Sequence, residues 1–174
     1  MDPLQAAARL AAALSVGLIV GLERGWRDRD RPEGGRVAGL RTFALIGLLG
    51  GVLHLEADSP LPLATGLAGV ALLFAVSFGR ASSATGTLSI TSAVAALVTF
   101  GLGALAAAGQ VVLAVGAATV VALLLGMKGE LHQGMRRIHP EELNALLQLG
   151  VVTAAILPLL PDEGFGPYRA LNPF

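Results

Sequence analysis

The sequence predicts an all-α, polytopic transmembrane helix bundle of about six helices with both termini outside. Three observations predict it. Hydrophobic residues make up 54% of the 174 and charged residues only 14%, against about 25% charged in average soluble domains. With a mean hydropathy of +0.71, the solvent for most of this surface is lipid. The apolar residues gather into six long runs. Lysine and arginine then fall in alternate loops between those runs, a reading independent of hydropathy.

Residues 4–22 form the first run, about 28 Å long as a helix against a ~30 Å hydrocarbon core. Asp2 and Arg9 supply no basic cluster ahead of it, so it reads as a retained helix rather than a cleaved signal. Ala13, Gly17, Gly21 and Gly25 recur every four residues, a seam of small residues that lets helices approach closely. Residues 23–36 are a polar corner broken by Pro32, Gly34 and Gly35. The second run, 38–55, carries Arg41 near its start and Gly47 and Gly51 four apart. The third, 61–79, has few polar groups, and a loop rich in serine and threonine follows. Runs four and five, 88–108 and 111–127, are joined by Gly109 and Gln110, which predicts a tight antiparallel hairpin. Residues 128–139 make a basic, partly amphipathic connector. The sixth run, 140–160, opens on His139-Pro140-Glu141-Glu142. Proline suits the first helical position, and acids suit the positive end of the helix dipole.

Ten of the twelve basic residues lie on one set of alternate loops; Arg9 and Arg169 lie on the other. The basic side is expected in the cytoplasm. Zero net charge gives no field for nucleic acid, and the absence of cysteine excludes disulfides and thiolate metal sites. No nucleophile elbow, phosphate-binding loop or zinc helix occurs, so no enzyme is expected. His132 and His139 flank Arg136 and Arg137 without a metal-ligand pattern.

The stretch GLIVGLERGWR, residues 17–27, followed by AGLRTFALIGLLGG, residues 38–51, resembles the MgtC/SapB family of bacterial inner-membrane proteins. Gly17, Gly21, Glu23 and Arg24 match its first motif, and Ala38, Gly39, Arg41 and Thr42 its second. The likeness runs over residues 4–127, more weakly through the fourth run. It implies a five-helix membrane domain at 1–127, the connector at 128–139, and at 140–174 a sixth helix and periplasmic tail that join a second membrane domain in longer relatives. The resemblance to those relatives implies an acid after Thr91 of the fourth run, where this chain has Ser92. The resemblance also implies a link to growth at low magnesium and, in some members, inhibition of the ATP synthase.

Candidate functional residues cluster in three places. Arg24 lies seven residues beyond Gly17 and so points into the glycine seam rather than to lipid. Intramembrane charges face a partner or a cavity, so Glu23 is expected to pair with Arg41 and with Arg24, while Thr42 lies at the same depth. This cluster either gates a polar path or clamps two helix ends. Ser82, Thr85, Ser89, Ser92 and Thr99 form a hydroxyl stripe that either lines a hydrated cation path or bonds within the bundle. Asn144 and Gln148 are expected to face the bundle interior, because lipid offers an amide no partner. Trp26 and Tyr168 fit interfacial anchors.

Two functional classes stay open. One is a magnesium or other cation transporter or channel-like domain, with Glu23, Arg24, Arg41 and Thr42 at the cytoplasmic end and Ser89 and Ser92 along the path. The other is a non-conducting regulator that docks on another membrane complex through its glycine seams. Either could form a homodimer that joins two cytoplasmic clusters. No resident cofactor is expected; magnesium enters as the transported or bound ion.

Overall fold

The computed structural model describes residues 2–27, 29, 38–56, 59–82 and 90–159. The regular structure of these residues is helical throughout. It comprises α1 (Pro3–Arg27), α2 (Leu40–Leu55), α3 (Leu61–Ser82), α4 (Ile90–Ala107), α5 (Val111–Gly126), α6 (Lys128–Arg137) and α7 (Pro140–Val151). A π-helical turn, Val152–Ile156, and a short 3-10 turn, Leu157–Leu159, follow α7. The chain divides into two compact units, Met1–Met127 and Lys128–Phe174.

In the first unit α1 is the central element: it packs on α2, α4 and α5, while α3 lies against α2 and α4. The largest fully buried side chains are those of Val16 and Val20 on α1, Phe43 on α2 and Thr99 on α4. Much of the remaining interior is alanine, including Ala13, Ala96, Ala106, Ala114 and Ala118. The large aliphatic residues point the other way, with Val112 89% and Leu73 69% exposed. Small residues inside and leucine and valine outside is the arrangement expected of helices that meet in lipid, where association relies on close packing rather than on burial of apolar area. Hydroxyls obey the same constraint. Ser15, Thr65, Ser77 and Thr119 face outward, and each donates to the carbonyl one turn back, at 2.8–3.0 Å, so none needs water.

By length and composition α1 and α4 are each able to cross a membrane, and α5 taken with α6 as one broken span makes a third. α2 and the apolar part of α3, Leu61–Ser77, are shorter apolar helices. The α4–α5 hairpin closes as its sequence predicts. Gly109 adopts φ +94; its N–H donates to the Ala106 carbonyl at 3.0 Å, and that of Gln110 to Leu105 at 3.2 Å. These are the two bonds of a Schellman motif, with glycine at the position of positive φ. Gly109→Ala is expected to cost about 1–2 kcal/mol, measured as a fall in thermal unfolding temperature in detergent. A β-carbon there would also crowd the Arg9 guanidinium, 3.3 Å away.

Helix limits differ from expectation at three places, the first being α3, which runs on to Ser82 into the start of the predicted loop. α1 runs a further turn, to Arg27, because Arg24 and Arg27 in its last turn favour the negative end of the helix dipole. In the second unit, the residues read as a connector form α6, and the sixth run is α-helical only to Val151. Pro158 has no N–H for the carbonyl of Ala154, so the regular ladder cannot continue through it, and the chain widens and then tightens instead. α7 begins as expected: the His139 N–H donates to the Glu142 carboxylate at 3.1 Å, one half of a capping box.

Candidate functional site

The site is built at the C-terminal end of α1. Adjacent residues on a helix leave the backbone about 100° apart and do not ordinarily meet. Glu23 and Arg24 nonetheless form a two-pronged ion pair: Arg24 Nε donates to Glu23 Oε2, and Nη2 donates to Oε1 at 2.8 Å. The two long side chains converge beyond their β-carbons because only one direction is closed to lipid. The Arg24 side chain is 5% exposed and that of Glu23 15%. Nη2 also reaches the carbonyl of Leu125, at 3.4 Å, in the last turn of α5. A guanidinium beside unpaired helix-terminal carbonyls is favoured by hydrogen bonding and by the dipole.

A matching contact closes the opposite end of the same helix. Arg9 Nη1 donates to the carbonyl of Ala107, the last residue of α4, at 3.1 Å. α1 therefore carries one arginine to the C-terminus of each member of the α4–α5 hairpin. The two lie fifteen residues apart, which is about 22 Å along the axis. The two anchors fix the alignment of α1: antiparallel to α4, parallel to α5.

Between these anchors α1, α2 and α4 meet through their backbones. A β-carbon at Gly47 would lie 2.6 Å from the Ala13 carbonyl and 3.0 Å from the Gly17 nitrogen. One at Gly17 would fall on the Phe43 carbonyl, and one at Gly103 on the carbonyl of Gly47. Gly21 and Gly51 are similarly tight, against Leu40 at 2.9 Å and the Ala13 side chain at 2.7 Å. Gly25 is the exception. A β-carbon there would make ordinary contact with Leu40 at 3.8 Å, so the seam ends one turn earlier than the spacing of four predicts. Gly50 and Gly103 are equally tight but lie outside the predicted seams. Ala95, Thr99, Gly103 and Ala107 recur every four residues along α4 and are all buried, so the same small-residue spacing was the available signal.

The other predicted residues fall as follows. Arg41 and Thr42 are exposed. Arg41 does not pair with Glu23, whose carboxylate is taken by Arg24. Both instead line a cleft of about 360 Å³ at the head of α2, with Arg24, Gly25 and residues 38–40. Gly39 caps α2 in an extended conformation without a side-chain hydrogen bond to its first turn. Ser92 is half-buried on α4. Thr99, one seven-residue step further, is fully buried and donates to Ala95 at 2.7 Å. Ser89 and Thr85 lie outside the described residues, as do Tyr168 and most of the polar corner. Within the second unit, Asn144 and Gln148 line a shallow groove on one face of α7 with Leu147, Val151 and Val152, and among the described residues of that unit nothing packs across them. Trp26 is exposed at the end of α1 and carries the Arg29 guanidinium over its ring at 4.4 Å, which suits an interfacial anchor.

Arg24 and Thr99 are the buried polar side chains of the described residues, and no buried side-chain nitrogen or oxygen among them lacks a partner. Nor do three or more histidine or acidic side chains come together among them to hold a metal. In chemical terms this end of the bundle is a neutralised ion pair roofing a packed interior, beside an open cationic cleft.

Among known proteins, no curated sequence and no solved structure matches the chain. One family model does, that of the MgtC family, over residues 10–134, which takes in all of the bundle from Leu10 onward. By that match, and by the Glu23–Arg24 and Arg41–Thr42 motifs that meet at one end of its helices, the chain belongs to the MgtC family, a membrane family linked to magnesium homeostasis.

Proposed function

We propose that this chain is a multi-pass protein of the bacterial inner membrane, with six spans, both termini outside and its basic end in the cytoplasm. We propose further that it serves magnesium homeostasis as a non-conducting, non-enzymatic regulator of another membrane complex. The ATP synthase is the partner class that the resemblance implies. Residues 1–127 carry this role, residues 128–139 form the connector, and residues 140–174 form the sixth helix and its periplasmic tail.

One observation carries the regulatory reading: the centre of the bundle is closed by backbone. Where α1, α2 and α4 cross at Gly17, Gly47 and Gly103, main-chain atoms leave no room for a methyl group. Magnesium keeps several waters and wants an octahedron of oxygens, and the buried polar groups nearest this crossing are already committed to each other or to carbonyls. Glu23 and Arg24 then act as a clamp on the cytoplasmic end rather than as a gate. The glycines at this crossing hold the bundle together, so the partner docks on an outward face.

The test is magnesium entry into liposomes that contain the purified, folded chain and an internal fluorescent magnesium indicator. Entry is expected to equal that of empty liposomes. Entry above that level which Glu23→Gln abolishes, with the variant still folded, would overturn the regulatory reading in favour of transport.

A further inference from the structure

We propose that the face formed by α2 and α3 is a binding site for one anionic phospholipid, held by its phosphate at Arg41 and by an acyl chain in the groove between the two helices. This goes beyond the regulatory reading and does not depend on it.

The groove holds about 350 Å³, within the range of about 300–1,000 Å³ typical of ligand pockets. Its walls are apolar: Leu45 and Leu49 from α2, Val70 and Phe74 from α3. Thr42 and Ser77 stand at one end of it. From Thr42 to Leu49 it runs about 10 Å along α2, from the level of the charged cluster towards the middle of the bundle. Its rim is open, since Leu45 is 63% exposed and Leu73 69%. In a bilayer such a groove is filled by hydrocarbon.

The occupant is specified by what lies at its mouth. Thr42 lines both this groove and the cationic cleft at the head of α2, so the two adjoin at that residue. The cleft presents Arg41, which is exposed and has no ion-pair or hydrogen-bond partner among the described residues. The one described carboxylate at this end, Glu23, is held by Arg24 and is unavailable to Arg41. The first-turn N–H groups of α2 face no capping side chain at Gly39, and they add to the field that favours an anion there. A guanidinium without an ion-pair partner among the described residues, one residue from the mouth of an apolar channel, is complementary to a phosphodiester joined to an acyl chain. A neutral or zwitterionic lipid brings its own positive charge or none at all. A second copy of the chain would have to place an acid against Arg41.

Native mass spectrometry of the detergent-solubilised chain, titrated with dioleoyl phosphatidylglycerol and separately with dioleoyl phosphatidylcholine, tests this. One phosphatidylglycerol per chain is expected to bind at least tenfold tighter than phosphatidylcholine. Arg41→Ala should erase that preference, and Arg41→Lys should keep most of it. Leu45→Trp, which fills the groove from an exposed position, should weaken phosphatidylglycerol at least fivefold. Glycerol phosphate without acyl chains should not bind measurably. Equal binding of the two lipids, or a preference that survives Arg41→Ala, overturns the phosphate assignment. A preference untouched by Leu45→Trp, or glycerol phosphate binding as tightly as the lipid, overturns the groove. A lipid-free dimer that Leu45→Trp dissolves would give the face to a second copy instead.

Discussion

Gly103→Ala is expected to destabilise the bundle by about 3 kcal/mol or more, while Gly101→Ala, two residues earlier on the same helix, leaves it unchanged or slightly more stable. A β-carbon at Gly103 would fall on the Gly47 carbonyl and lie 2.9 Å from the Gly47 α-carbon. What it meets is main chain, which cannot turn aside as a side-chain tip does, so α2 and α4 must separate. Overpacking of this kind typically costs 1–3 kcal/mol and at rigid contacts more. Separation of α2 from α4 also loosens Phe43 and Val16, which the crossing buries. At Gly101 a β-carbon would meet nothing within 4 Å, and alanine gains roughly 0.5–1 kcal/mol of helix propensity over glycine. Thermal or SDS-driven unfolding of the two variants, followed by circular dichroism, makes the comparison. Similar effects at the two sites would mean that the helices do not meet backbone to backbone.

The second large effect is expected at Arg24. Arg24→Ala removes the partner of a mostly buried carboxylate and frees the Leu125 carbonyl. Breaking a buried pair from one side costs about 3–5 kcal/mol, because the remaining charge stays behind without compensation. Glu23→Gln, which keeps an acceptor oxygen for the guanidinium, is expected to cost less. The double variant Glu23→Leu/Arg24→Met removes both charges at similar volume and should recover most of the loss, since well-packed apolar replacements of buried pairs are often neutral. Unfolding of the two single variants and the double one gives the coupling directly. If the double variant were as unstable as Arg24→Ala, the contact to the α5 carbonyl, rather than the ion pair, would hold the end of the bundle.

These two expectations differ in how far they were legible beforehand. The direction of Arg24 followed from helix arithmetic: seven residues beyond Gly17, it had to point into the seam, and it is buried there. Of the two partners expected for Glu23, Arg24 is the one found and Arg41 is not. On a helical wheel Glu23 and Arg24 diverge; the pair forms because the end of α5 confines the guanidinium against its own neighbour. The seam at Gly17, Gly21, Gly47 and Gly51 was legible from spacing, whereas the backbone that each glycine meets was not. Spacing names a face of a helix and is silent on which helix lies against it.

Sequence by itself determined that the chain is helical, where five apolar helices lie to within a few residues, and that Gly109 turns the α4–α5 hairpin. These are local properties, decided by run length, by the need of lipid-exposed backbone to bond within its own helix, and by the one residue type at ease with positive φ. Only the tertiary structure decided that Gly103 meets Gly47, that Arg9 and Arg24 tie α1 to the ends of α4 and α5, and that Arg41 is left facing an open cleft. Each of these depends on distances between residues far apart in the chain, and such distances are set by how small residues let whole helices approach.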